Sequence, residues 1–107
     1  MKGNSIMAIN IGRYNFDGPH TNISALRRQS GVYAILGNSG SGNTWAVVDI
    51  GESEDVQGRV ENHDRAPCWK GQGHRVLAAA AYYVAEGQRM QIEQELRAQL
   101  NPPCGDR

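Results

Sequence analysis

The sequence predicts a small α+β domain, an antiparallel sheet flanked by helices, and three observations carry that expectation. Two runs rich in β-branched and aromatic residues, Gly31-Val32-Tyr33-Ala34-Ile35-Leu36 and Thr44-Trp45-Ala46-Val47-Val48-Asp49-Ile50, flank a Gly/Ser/Asn segment. That arrangement is the signature of a β-hairpin with a flexible tip. Ile92, Leu96 and Leu100 recur every four residues and Pro102-Pro103 follow them, which reads as a helix over 88–100. Finally, 107 residues with 39% apolar content suit one modest core, so 1–107 is read as a single domain.

Taken in order, residues 1–29 are punctuated by Gly12, Gly18, Pro19 and Asn22, with a short strand-like patch around Ile6–Ile11. They read as a lead-in packing against a core of 30–105. The hairpin tip, Gly37-Asn38-Ser39-Gly40-Ser41-Gly42-Asn43-Thr44, has the glycine spacing of a phosphate-binding loop. Such a loop needs a lysine where Asn43 stands, and a helix after it whose N-terminus faces the anion. A strand-like run follows instead, so the segment is a hairpin loop.

Residues 53–63 read as a short helix, with Ser53 as N-cap, Glu54 and Asp55 in the first turn, and Val56 and Val60 facing inward. Residues 64–74 hold one proline and two glycines and read as loop. The run Arg75–Val84 is apolar almost throughout. Its alanines favour helix and its valines and tyrosines favour strand, and periodicity leaves both open.

Composition excludes some roles. Eleven basic and eleven acidic residues cancel, so no global field draws the chain to nucleic acid or anionic membrane. A nucleic-acid role therefore needs a local basic face. No apolar run approaches the ~20 residues of a membrane span. The first residues, MKGNSIMAINIG, make a poor export signal, so a cytoplasmic protein with Cys68 and Cys104 as free thiols is expected.

Gly31-Val32-Tyr33 opens one strand, Asp49-Ile50-Gly51 closes the next, Arg59 follows ten residues after Asp49, and His63 lies four beyond Arg59. Arg89-x-x-Ile92-Glu93-x-x-Leu96 and Pro102-Pro103-Cys104 come later. This ordered set resembles the GIY-YIG nuclease superfamily over about residues 30–105. The resemblance implies a three-stranded antiparallel sheet, with residues 77–84 as its third strand. It also implies an endonuclease that hydrolyses DNA phosphodiester bonds with Mg2+ or Mn2+. Glu93 would hold the metal, Arg59 would clamp the phosphate, Tyr33 would position or deprotonate the water, and His63 would assist as proton acceptor.

Two positions depart from the family pattern. Asp49 replaces the tyrosine of the second motif, and Gly105 falls where an asparagine commonly closes the tail, Asn101 being four residues early. A carboxylate at 49 either adds a second metal ligand beside Glu93 or removes the chemistry. In the latter case the chain is a catalytically silent module binding nucleic acid or a protein partner. Arg59, Arg65, Lys70 and Arg75, near Trp69, are the residues expected to face DNA, possible substrates including structured or branched forms. A homodimer or a protein partner would supply specificity. His63, Cys68, His74 and Cys104 form an alternative zinc set, without any C-x-x-C knuckle. Glu93 also stands four residues from both Arg89 and Arg97, so an ion-pair ladder competes with its metal role.

Overall fold

A computed structural model describes residues 7–40 and 44–105 of the chain. The N-terminal residues begin a hairpin, β1 (Ala8–Ile11) and β2 (Tyr14–His20), followed by a single 3-10 turn at Ile23–Ala25. The second hairpin is β3 (Gly31–Asn38) and β4 (Ala46–Ser53). Two short helices, α1 (Val56–Glu61) and α2 (Ala66–Gly71), precede β5 (Val76–Tyr83), and α3 (Glu86–Leu100) completes the order.

The sheet has five antiparallel strands in the order β1-β2-β5-β3-β4. The expected three-stranded sheet is thus incorrect in its strand number. The lead-in supplies two further strands, because β2 pairs with the otherwise open edge of β5 through Asp17 opposite Ala81 and His20 opposite Ala79. Gly18 and Pro19, which read as punctuation, lie where the β2–β5 register shifts. Irregular points of this kind are where strands tolerate such residues. Of the Ile6–Ile11 patch, Ala8–Ile11 is strand and residue 6 lies outside the described residues, as do 41–43 of the hairpin tip.

Residues 76–83 are strand. β5 is flanked by β2 and β3, and pairing on both edges overrides the helix preference of its four consecutive alanines. All eight residues of β3 are buried, and its alternation divides the core in two. Tyr33 and Ile35 point to the face covered by Val56 and Val60 of α1 and Trp69 of α2. Val32, Ala34 and Leu36 point to the other, where Ile92 and Leu96 of α3 meet Phe16 and Ile11.

The first helix is shorter than expected. Its N-cap is Asp55, whose side chain accepts the Gly58 N–H, while Ser53 caps the Asp55 N–H one step earlier. It ends at Glu61, leaving His63 outside it. The expected loop at 64–74 contains α2, which has a proline in its first turn, a position where the missing N–H costs nothing.

The cysteines are not free thiols: Cys68 of α2 and Cys104 of the tail form a disulfide. After α3, Asn101 takes the left-handed conformation that ends a helix. The tail then runs back along β4, where the Cys104 N–H donates to the Val48 carbonyl at 3.0 Å. This return places Cys104 beneath α2 and also rules out both cysteines as zinc thiolates. His74 packs at the far end of the sheet against Gly37.

The disulfide closes a loop between residues 36 apart, for which chain entropy gives about 3–4 kcal/mol of stabilisation. Urea unfolding with and without dithiothreitol should show a loss of that order in reductant, with the fold retained. An unchanged midpoint would mean that the tail is held by its hydrogen bonds alone.

Candidate functional site

The densest polar cluster among the described residues centres on Asp49, whose side chain is fully buried on edge strand β4. Because β4 is an edge, groups from both faces of the sheet converge on it. Arg65, just before α2, places Nε 2.8 Å from Oδ2 and Nη2 3.3 Å from Oδ1. The Trp69 indole donates to Oδ2 at 2.7 Å. From α3, Arg97 Nη2 donates to Oδ1 at 2.7 Å. A carboxylate offers about four lone-pair sites, and these four N–H groups occupy them.

Arg97 links this cluster to the last helix. Its Nε lies 2.9 Å from Glu93 Oε2, the i,i+4 pair that the sequence offered as the rival to metal binding. The Arg97 guanidinium therefore spans the two carboxylates expected to share a metal. Asp49 has no acceptor position left for a cation, so a two-carboxylate metal site does not fit its surroundings. Among the described residues no group of three or more His, Cys, Asp or Glu side chains is arranged to hold a metal ion. Arg89 does not complete a ladder with Glu93. It turns to Glu52 at 2.6 Å and to the Ser30 hydroxyl at 2.9 Å.

A second pair adjoins the cluster. The Tyr33 hydroxyl and His63 Nε2 are 2.5 Å apart, and the His63 ring lies 4.7 Å from the Trp69 ring. The Arg65 backbone N–H donates to His63 Nδ1 at 3.0 Å. In the neutral ring Nδ1 is then the acceptor, so the proton resides on Nε2 and is donated to the Tyr33 oxygen. Burial, reinforced by Arg59 and Arg65, pushes the His63 pKa down to about 4. Burial pushes the Tyr33 phenol up to about 12, although Arg65 and Arg59 oppose it. At neutral pH both rings are therefore uncharged, and His63 is committed as a donor to Tyr33. The role expected for His63, proton acceptor, does not fit this arrangement.

The tyrosine position is also why residue 51 is glycine. Tyr33 pairs with Gly51 across β3 and β4, and a Cβ at 51 would overlap the phenol.

The remaining candidates separate by location. Arg59 is 38% exposed and pairs with the exposed Asp64 at 3.1 Å, close enough to act on both Tyr33 and His63. Its proximity to His63 comes from the turn after α1 and not from a shared helical face. Arg65 is 30% exposed, with its guanidinium bound to Asp49. Lys70 is exposed on α2. Arg75 is not brought to the site. Its backbone pairs with Asn38, five residues along β3 from Tyr33, a span of roughly 17 Å at strand rise. The sequence placed Trp69 near the basic residues, but neither its bond to Asp49 nor Arg97 as the bridge to Asp49 was expected from it. The i,i+4 spacing of Glu93 and Arg97 was the available signal for the latter.

No protein-family model, curated protein or solved structure matches the chain. No helix of the described residues is long and apolar enough to cross a membrane.

Because the folded pKa of His63 lies below its ordinary 6.5, the unfolded chain binds the proton more readily. The stability held above pH 6.5 is lost as pH falls through that window toward 4. The loss should be on the order of 3 kcal/mol. Unfolding free energies from pH 7 to 4 should fall more steeply for wild type than for His63→Gln, which keeps a donor toward Tyr33 but does not titrate. Parallel slopes would refute the assignment.

Proposed function

We propose that this chain is a phosphodiester-binding module on a GIY-YIG-like frame, engaging nucleic acid without cleaving it. The observation that carries the reading is the pairing of a protonated, His63-anchored Tyr33 phenol with the partly exposed Arg59 and Arg65, while Asp49 is neutralised inside the protein. Arg59 pairs with the exposed Asp64, an interaction worth little and readily exchanged for phosphate. Lys70 lies on the helix that also carries Trp69, so Arg59, Arg65 and Lys70 come from α1, the turn after it and α2, a segment that also carries the exposed acids Glu61 and Asp64. Arg75 belongs to another region and is left out.

The rival is a DNA endonuclease dependent on Mg2+ or Mn2+, with branched or structured DNA among its substrates. It is favoured by the convergence of Tyr33, Arg59 and His63 through the order β3, β4, α1. It requires Glu93 to serve without Asp49 as co-ligand. A domain of this size presents little recognition surface, so specificity in either reading would come from a second copy or a protein partner. The Cys68–Cys104 disulfide favours an oxidising setting for this role over the cytoplasm expected from sequence.

Fluorescence anisotropy with labelled single-stranded, duplex and branched DNA tests the proposal. Arg59→Gln and Lys70→Gln should each weaken binding several-fold at about 100 mM salt and reduce the salt slope by about 1. Neither should change the thermal midpoint beyond the small effect of a surface ion pair. No binding by wild type at low salt, or equal binding by the variants, would overturn it. Nicking of supercoiled plasmid in Mg2+ or Mn2+ that disappears in Glu93→Gln and Arg59→Gln would establish the endonuclease instead.

A further inference from the structure

We propose that the cavity between the sheet and α2 receives an unpaired nucleobase, so that the nucleic acid engaged at Arg59, Arg65 and Lys70 is single-stranded. A base there presupposes the phosphodiester-binding reading and narrows its substrate class. The cavity has a volume of about 300 Å3, and Ile35 of β3 and Leu77 of β5 line it from the sheet while Trp69 lines it from α2. That volume is at the small end for ligand sites, and a mostly apolar lining with a few polar groups suits one flat ring system.

The polar groups are what distinguish a base from a simple apolar ligand. Thr21, Glu61 and Lys70 line the cavity and are exposed, so they mark its mouth. Half-buried His20 also lines it, with Nε2 turned to Asp17 at 3.3 Å and Nδ1 without a partner among the described residues. A base edge carries donors and acceptors together and can meet a hydroxyl, a carboxylate and an imidazole. An acyl chain would use the apolar walls and Lys70, and would strip water from the other polar groups without replacing it.

The cavity also adjoins the phosphodiester site. Trp69 belongs to both, since its ring lies 4.7 Å from the His63 ring and its indole is bonded to Asp49. The next residue, Lys70, makes no ion pair among the described residues, so its charge is available to a phosphate at the cavity mouth. Base and phosphate of one nucleotide are neighbours, as are this recess and this cation. A base in a duplex is stacked and paired, and would have to be extruded to enter. A single strand offers its bases without that cost, and apolar recesses beside a cationic track are how such strands are held.

Fluorescence anisotropy should compare a labelled single strand with an abasic strand of equal length, which keeps every phosphate and lacks the bases. Wild type should bind the base-bearing strand about tenfold more tightly. Ala66→Leu extends a half-buried side chain that lines the cavity, and should remove that advantage while leaving the abasic affinity unchanged. Lys70→Gln should weaken both strands by a similar factor and preserve their ratio. Equal binding of the two strands by wild type, or a folded Ala66→Leu that keeps the full advantage, would overturn the base assignment and leave the phosphodiester reading standing. Decanoate binding that is lost in Ala66→Leu and does not compete with the base-bearing strand would assign the cavity to acyl chains instead. If Ala66→Leu does not fold, the wild-type comparison of the two strands decides alone. If wild type binds neither strand, the phosphodiester reading fails and the base assignment with it.

Discussion

The structure depends above all on a carboxylate taken completely out of water. Isolated in the interior, the Asp49 charge would carry a prohibitive desolvation cost, and it is tolerated only because four N–H groups from two guanidiniums and an indole surround it. Those donors come from three places in the chain: the turn before α2, α2 itself, and α3. A hydrophobic strand residue at position 49 would have satisfied β4 locally and left these elements without a common anchor. Breaking one partner from a buried pair of this kind typically costs about 3–5 kcal/mol, more than almost any other single contact in so small a domain.

What Asp49 fixes, the neighbouring aromatic pair inherits. Trp69 is oriented by its indole bond to Asp49 and lies against the His63 ring. Arg65 presents its side chain to Asp49 and its backbone N–H to His63. The imidazole is thereby held from two directions and offers its remaining N–H to Tyr33. The phenol in turn lies over Gly51 on the strand that carries Asp49, which closes the circuit. Each member is placed by a neighbour that also serves the carboxylate. This mutual dependence explains why polar groups so deeply buried remain satisfied.

The parts of this arrangement legible in the sequence are those governed by short-range rules. The β3–β4 hairpin follows from two apolar runs around a Gly/Ser/Asn segment, and α3 from its four-residue stripe. The pairing of Glu93 with Arg97 follows from their i,i+4 spacing. The unread parts depend on long-range return of the chain. β2 looks like a broken lead-in because Gly18 and Pro19 serve a register shift that exists only once β5 is beside it. α2 is obscured because Pro67 marks a helix beginning as readily as a loop. The Cys68–Cys104 pairing needs the tail to reverse along β4, and no spacing encodes that reversal. The same is true of Arg65, whose charge reads as surface and whose guanidinium is spent on Asp49.

Asp49 and Gly105, which look independent in sequence, are one structural event. A phenol at position 49 would need no buried counter-charge, and the space beside it could admit a tail side chain. A carboxylate there demands cations, and Arg65 and Arg97 supply them from opposite faces of the sheet. Their guanidiniums then fill the volume where a side chain at 105 would project, leaving room only for glycine in a left-handed conformation. Asp49 and Gly105 therefore imply one another through Arg97 and Arg65. Tyrosine at 49 alone would leave Arg65 and Arg97 without their buried anion, and asparagine at 105 alone would drive a side chain into their guanidiniums. The chemistry of the site is set by this group of four acting together, so the functional consequence of Asp49 has to be sought in the charge balance it organises.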